Sequence, residues 1–381
     1  MKIQFITRNI PTPNKSNNNV ILKIALLLQR YNKVNVAFPK ESVPFGFHFS
    51  SKYKYLYKLK DYTLSDVKIS VFNYIRLPFK GIAFLFLGLF SAKKIAEAEM
   101  DVIHGHFIFP DGLIAKKLAK IKKTPFVVSV RQSDWFLLQK VSKQSHTYKT
   151  AKSCLEAADC IHVHNGYMAS LLTAEFNVQS RVIPHGVDQS ILDRSFEKIT
   201  GQVVISSVAA LITLKNIDWV IKSVLNYDGD KDILLKVIGD GEQMSTLVDL
   251  SSNSPRIRFF GQLSYEDVIS HMESSHIFAL PSCRETFGLV YLEAAATSNA
   301  IVAFNKYSIN GVFEEGECLF SADFTSFQQL VHHLIDNPQL TASMGEKARK
   351  RAKELVWSKV INRYEEMYLQ TALNYKETNQ V

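Results

Sequence analysis

Hydrophobic and polar positions alternate between two kinds of stretch along this chain. Short β-branched or apolar runs recur at Ile3 to Thr7, Val34 to Phe38, Val102 to His106, Phe126 to Val130, Cys160 to His164 and Arg181 to His185. Between them lie segments whose apolar residues return every three or four positions. Asn19 to Tyr31 carries Val20, Ile24, Leu27 and Leu28, and Asp111 to Ile121 carries Leu113, Ile114 and Leu118. Strand runs alternating with helical runs predict parallel sheets with crossover helices. The pattern restarts with Val203 to Val208, Ile233 to Ile238, Ile257 to Phe260, Ile277 to Pro281 and Ala300 to Phe304. The polar, aperiodic stretch from Gly186 to Gln202 reads as the linker. From about Thr325 onward only helix is predicted, over Thr325 to Ile335, Leu340 to Leu355 and Lys359 to Tyr375, with breaks at Asn337-Pro338 and Trp357-Ser358. The expected domains are 1–188 and 189–360, both α/β, followed by a helix over 361–381.

The 381 residues are 46% hydrophobic and 21% charged, which excludes a disordered or fibrous chain. The longest apolar run, Gly81 to Phe90, is about half of a bilayer span and is bounded by Lys80, Lys93 and Lys94, so a buried helix is expected there. Cys154, Cys160, Cys283 and Cys318 form no CxxC pair, which points to reduced thiols and no zinc site. The first fifteen residues run from a strand into a Pro- and Asn-rich loop without an apolar export segment, so a cytoplasmic location is expected. Charge is uneven. Residues 1–190 carry 27 Lys+Arg against 12 Asp+Glu, whereas the remainder carries 18 against 24. The basic half suits a nucleic acid, an acidic membrane surface or a phosphorylated substrate, or serves solubility alone.

The most informative stretch is residues 280–304, LPSCRETFGLVYLEAAATSNAIVAF, read as strand, loop, helix and strand. The helix start at Phe287-Gly288-Leu289 offers unpaired N–H groups and a partial positive charge, which suits a diphosphate, and Gly288 allows close approach. Glu285 and Glu293 flank that anion site. Carboxylates repel phosphate but accept hydrogen bonds from sugar hydroxyls, one from a ribose and one from a transferred hexose.

Residues 281–293, PSCRETFGLVYLE, resemble the E-x7-E signature of retaining glycosyltransferases of family 4, which have the two-domain glycosyltransferase-B fold. The likeness continues with IPHGVD (183–188), Lys215-Asn216-Ile217-Asp218, VIGDGE (237–242) and FFGQLSYEDV (259–268), and more weakly with DVIHGHFIFPDG (101–112) and VVSVRQSD (127–134). It implies two facing Rossmann-like doubly wound domains around a cleft, with the C-terminal helix returning to the first domain. It further implies that Glu293 holds the donor ribose, Glu285 the donor sugar and Lys215 the diphosphate. Backbone groups of Phe287, Gly288 and Leu289 add donors, and Gly261 to Leu263 border the nucleobase. With a cation and a helix end stabilising the departing diphosphate, no metal or other cofactor is expected.

The chain departs from that pattern in places. Ala210 stands where the family has a second diphosphate-binding Arg. The first-loop Gly-Gly is replaced by Lys15-Ser16-Asn17-Asn18-Asn19, leaving Asn18 and Asn19 as the donor-contacting turn. Arg131 replaces the loop histidine near the transferred sugar; it either contacts phosphates or an acidic acceptor, or is a solvated surface residue. His106 is the acceptor-side candidate. Of His104 and His106, only one is expected to face the ligand. SKYKYLYKLKDY (51–62) interleaves Lys and Tyr, fitting either an anionic surface or an exposed strand.

The resemblance implies a retaining enzyme that transfers a sugar from a UDP- or GDP-linked donor to a glycan or lipid-linked acceptor. Cell-surface polysaccharide synthesis at the inner face of the membrane, through peripheral contact with anionic lipid, is the expected setting. The alternative is a catalytically silent relative that binds a nucleotide sugar or a partner. No recognition motif accompanies the basic charge, so nucleic acid is not an expected partner.

Overall fold

A computed structural model of the chain describes residues 1–13, 20–42, 59–75, 99–285, 287–306, 309–314 and 316–379. The apolar run Gly81 to Phe90, residues 51–58 of the Lys/Tyr segment, and Asn18 and Asn19 lie outside the described residues. The chain divides into two compact units. One comprises Met1–Val163, Ala169–Ile183 and Ile361–Val381, the other His164–Met168 and Pro184–Val360.

The first unit holds β1 (Lys2–Ile6), β2 (Lys33–Ser42), β3 (Tyr62–Leu64), β4 (Val67–Ile75), β5 (Val102–Gly105), β6 (Phe126–Ser129), β7 (Cys160–Val163) and β8 (Arg181–Val182). They form one sheet in the order β3-β4-β2-β1-β5-β6-β7-β8. Every pairing is parallel except the β3–β4 hairpin. That hairpin turns through Ser65 and Asp66, both at positive φ (45° and 70°), the pair of left-handed residues a tight hairpin needs. No Asn-Gly or Asp-Gly marks it in the sequence, which is why the alternation of runs alone does not reveal β3 and β4. Helices α1 (Val20–Leu28), α2 (Leu113–Lys122), α3 (Gln132–Gln139), α4 (His146–Glu156) and α5 (Gly166–Phe176) connect the strands or follow them. β5 and β6 are buried at every position, as central strands covered on both faces must be.

The second unit holds β9 (Val203–Val208), β10 (Ile233–Ile238), β11 (Ile257–Phe259), β12 (Ile277–Leu280), β13 (Ala300–Phe304) and β14 (Leu319–Ser321). These form a wholly parallel sheet in the order β11-β10-β9-β12-β13-β14. Its helices are α6 (Gln189–Leu192), α7 (Ile217–Leu225), α8 (Met244–Leu250), α9 (Tyr265–Glu273), α10 (Leu289–Ala296), α11 (Phe324–Asp336) and α12 (Pro338–Glu354). The last helix, α13 (Trp357–Asn379), starts in the second unit and continues in the first. Ile205, Val220, Leu235, Phe278, Leu292 and Val331 are among the fully buried residues of the second unit's core.

Strand order fixes where ligands go. In each sheet the chain builds outward in one direction and then crosses to the other side of its starting strand, and the crevice at that reversal is where open α/β sheets bind. In the first unit the reversal lies between β1 and β5; in the second it lies between β9 and β12. The loops after those four strands therefore hold the candidate chemistry.

A buried hydrogen-bond chain fastens α13 into the first unit. Tyr368 Oη lies 2.7 Å from His104 Nδ1, His104 Nε2 lies 2.7 Å from Ser129 Oγ, Ser129 Oγ lies 2.7 Å from His162 Nδ1, and His162 Nε2 lies 3.1 Å from the Ile183 carbonyl. Because a carbonyl only accepts, His162 carries its proton on Nε2, so Ser129 donates to Nδ1, His104 donates from Nε2, and Tyr368 donates to His104. Each bond sets the direction of the next. Burial holds His162 down at about 3 and His104 well below its ordinary value, so both rings stay neutral and the direction is preserved.

Candidate functional site

In the second unit the loop after β9 is clamped by backbone. Ala209 N–H donates to the Ile238 carbonyl (3.1 Å), Leu211 N–H to Asp240 (2.9 Å) and Gln243 N–H to Leu211 (2.9 Å). A Cβ at Gly239 would lie 1.9 Å from the Ala209 carbonyl oxygen, and one at Gly241 would lie 2.4 Å from that of Leu211. The glycines of VIGDGE thus allow the close approach that fixes the lysine-bearing loop. Asn216, at φ 50°, donates from its side-chain amide to the Pro281 carbonyl (2.9 Å), and Cys283 N–H donates to Leu214 (3.1 Å). These bonds stitch the loop after β9 to the loop after β12.

That stitching brings Lys215 and Glu285 into a direct ion pair, with side chains 16% and 18% exposed. Gly288 follows at φ 76°; a Cβ there would meet the Tyr291 ring at 2.6 Å and Glu285 Cγ at 2.9 Å, so only glycine fits. Tyr291 is fully buried and donates its hydroxyl to the Leu280 carbonyl (2.7 Å), holding the loop to the end of β12. Phe287 is a core side chain, edge-on to His185 at 5.0 Å between ring centroids. α10 begins at Leu289 without a side-chain cap, which leaves its first N–H groups for a ligand. Glu293 lies further along α10, and burial together with the Glu293 carboxylate raises the Tyr265 hydroxyl, at the start of α9, above its ordinary value. Gly261, at φ 66°, has nothing within 4 Å of where a Cβ would stand, so space is open beside it, and Leu263 is half-buried. Ala210 is exposed on the clamped loop. Lys215, Glu285, Gly288, Leu289, Glu293 and Gly261 thus gather around the second unit's switch point.

In the first unit the segments after β5 and β6 carry a different cluster. Arg131 is 6% exposed, which corrects the surface reading of this residue. Its Nε donates to the His106 carbonyl (3.0 Å), its guanidinium carbon sits 5.0 Å from the Phe107 ring centre, and its N–H donates to Asp134 (3.1 Å). Burial pushes Asp134 up to about 7 despite those N–H donors, and pushes Asp111 up to about 8 against the pull of Arg8. Arg8 faces Asp111 electrostatically, yet neither Asp111 oxygen makes a hydrogen bond of ordinary geometry. Arg131 Nη2, Gln132 Nε2 and Trp135 Nε1 are likewise buried without partners. These five atoms lie in the segments that follow β5 and β6. His104 and His106 both turn inward, with ring centroids 4.1 Å apart, because positions two apart share a strand face; the expectation that only one does so is overturned.

Among the described residues no group of three His, Cys, Asp or Glu side chains could hold a metal ion, and no helix is long and apolar enough to cross a membrane.

The Glycosyltransferase Family 4 model matches residues 27–190, and that of the glycosyl transferases group 1 matches residues 188–351. The chain belongs to the group 1 glycosyltransferases and has the GT-B fold of two Rossmann-like α/β domains with parallel sheets. It is 25% identical over 296 residues to an uncharacterized glycosyltransferase of Methanocaldococcus jannaschii, covering 76% of this chain and 81% of that one. It is 22% identical over 302 residues to an alpha-monoglucosyldiacylglycerol synthase of Streptococcus pneumoniae, covering 71% and 68%. Anabaena HepE in complex with UDP superposes with a TM-score of 0.70 at 15% identity, covering 97% of this chain and all of that one.

Proposed function

We propose that the protein transfers a sugar, with retention of anomeric configuration, from a UDP- or GDP-linked donor to a glycan or lipid-linked acceptor in cell-surface polysaccharide synthesis. The observation that carries this reading is the placement of Lys215, Glu285 and Glu293 around the uncapped start of α10, at the switch point of a parallel sheet. In this scheme Lys215 turns from Glu285 to the diphosphate, and the N–H groups at the start of α10 share the charge that develops as the sugar–phosphate bond breaks. Glu285 then accepts from hydroxyls of the departing sugar, and Glu293 from the ribose. These carboxylates are positioners, not an acid and base pair. The acceptor hydroxyl adds on the face the diphosphate leaves, and its proton passes to the diphosphate oxygen. Protein cations and helix end together serve where a divalent metal otherwise would, so the reaction is proposed to be metal-independent.

On the acceptor side, His106, Arg131 and the orphaned atoms around them form the polar surface for the incoming hydroxyl. The basic first half of the chain and the diacylglycerol-linked product in the name of the S. pneumoniae relative support an acceptor at an anionic membrane. The bound UDP of the Anabaena neighbour supports a uridine donor. Ala210 favours one second reading, a silent nucleotide-sugar-binding relative, because a diphosphate cation is missing there.

The test is a thermal-shift screen of the purified chain against UDP, GDP, ADP and their sugar conjugates, with and without EDTA, followed by transfer assays. A shift with one nucleotide that survives EDTA and is lost in both Lys215→Ala and Glu293→Ala is expected, with turnover reduced by roughly 10²–10³ in the lysine variant. Unchanged transfer in both variants would remove the site assignment. Nucleotide binding with no transfer to any acceptor would favour the silent relative.

A further inference from the structure

We infer that the end of the first unit at which its parallel strands begin is a docking face for an anionic lipid bilayer: its lysines and arginine meet the headgroups, and its exposed apolar side chains enter between them. This rests on the membrane setting proposed above and names the face that carries it.

Crossovers return the chain to the start of the next parallel strand, so the segments before β2, β4 and β6 share one end of the sheet, opposite the loops that follow β1 and β5. Among the described residues, the three most exposed large apolar side chains of the whole chain lie at this end: Tyr31 at 79%, Ile121 at 53% and Leu369 at 51%, joined by Leu373 at 47%. Tyr31 stands just before β2, and Ile121 is in the last turn of α2, just before β6. Leu369 and Leu373, one turn apart on α13, line a groove with Lys123 and Thr124, which brings α13 to the same end. Tyr31 borders a second groove with Arg30, Lys33 and Lys68. The Asn32 side-chain amide donates to Glu365 of α13 (2.6 Å) and ties the two grooves together. Scattered exposed apolar residues are ordinary, but a gathering of the most exposed ones at one end marks a contact surface.

Cations are interleaved with them. Arg30 and Lys33 flank Tyr31, Lys120 and Lys123 flank Ile121, and Lys376 follows Leu373; all five are exposed, as is Lys68. Several acids of this end are engaged locally. Glu99 pairs with Lys2, while Asp101 and Asp159 accept the backbone N–H groups of Lys2 and Phe126 (2.7 and 2.8 Å). Asp66 and Glu377 stay exposed beside Lys68 and Lys376, so the face is positive on balance.

That pattern selects the occupant. A second copy of the chain, docked by the same face, would set lysine against lysine across a two-fold contact. A protein partner calls for a contiguous apolar centre depleted of charge, whereas here each apolar group has a cation next to it. An anionic bilayer takes both at once: apolar tips enter the headgroup region, lysine stems lie along it, and the ammonium groups reach phosphates. Docking at this end leaves the loops after β1 and β5 open to ligand.

Cosedimentation of the purified full chain tests the inference, with vesicles of phosphatidylcholine alone and of an equal mixture of phosphatidylcholine and phosphatidylglycerol. Binding to the mixed vesicles only, weakening as salt rises, is expected of the wild type. Lys120→Ala, Lys123→Ala and Lys376→Ala should each weaken it about fivefold. The double variant Leu369→Ser/Leu373→Ser, which keeps every charge, should weaken it roughly tenfold. Lys347→Ala, an exposed lysine of the second unit, should leave it unmoved. Equal binding by the wild type and the variants of this face overturns the inference and leaves the membrane setting standing. Binding that the lysine changes weaken and the leucine changes do not also overturns it, in favour of an acidic macromolecule held by charge alone. No binding of the wild type to either vesicle removes the membrane setting itself. An unchanged circular dichroism spectrum checks that each variant folds.

Discussion

At the second unit's switch point, Lys215 holds Glu285, and these side chains, like that of Glu293, retain partial contact with solvent. In the first unit, on the segments after β5 and β6, Asp111, Arg131 and Gln132 are almost wholly buried and keep polar atoms without partners. The two sites thus meet the demand of binding a polar ligand from opposite ends. The second satisfies its charges internally and must exchange those bonds when the ligand arrives. The first has already lost water from its polar groups, at a cost to its own folded state, and has fewer bonds to break. Partial exposure tolerates exchange; deep burial favours readiness, with instability as its consequence.

Three substitutions put that contrast at risk. The largest effect is expected from Tyr368→Phe, which deliberately orphans a buried atom by removing the donor to His104 Nδ1. A loss of about 1–3 kcal/mol in denaturant unfolding is expected; a loss indistinguishable from zero would mean that orphaned atoms in this unit are harmless.

The next concerns pH. Asp111 and Asp134 have folded-state values raised to about 8 and about 7 from 3.8, so the folded chain keeps protons that the unfolded chain has released, and stability falls as pH rises from about 4 to about 8. His162, lowered from 6.5 to about 3, acts in the opposite sense between those values. Above pH 6.5 the carboxyl effect is therefore no longer opposed by this histidine. Asp111→Asn should flatten the decline in melting temperature between pH 6.5 and 8 and leave the variant a few degrees more stable than wild type at pH 8. Parallel slopes in the two proteins would contradict the burial argument. The smallest effect is expected from Ala210→Arg, which adds an exposed cation to the clamped loop and should tighten nucleoside diphosphate binding about two- to fivefold. No gain in calorimetry would mean that the loop points its side chain away from the diphosphate.

The sequence carries the central strands plainly, because strands covered on both faces must be continuously apolar; the readings of Val203 to Val208, Ile233 to Ile238 and Ala300 to Phe304 coincide with β9, β10 and β13. It carries Glu285, Gly288 and Glu293 because their spacing along one strand-loop-helix unit is local, and Lys215 through the Lys-Asn-Ile-Asp run after β9. What it does not carry is decided by distant segments. Arg131 looks like surface until β5, β6 and their loops enclose it. The Ser65-Asp66 turn escapes notice since neither residue requires positive φ, although both adopt it here.

One feature of the fold bears on how the protein is made. The donor at the head of the buried chain from Tyr368 to His104, Ser129 and His162 comes from the part of α13 that leaves a ribosome after the whole of the second unit. The first unit starts with β1, yet its central histidines cannot be satisfied until residue 368 has been made, so the second unit, complete by residue 360, has its whole sequence available first. In vectorial synthesis, the half of the chain that emerges first is the half that must wait longest to close.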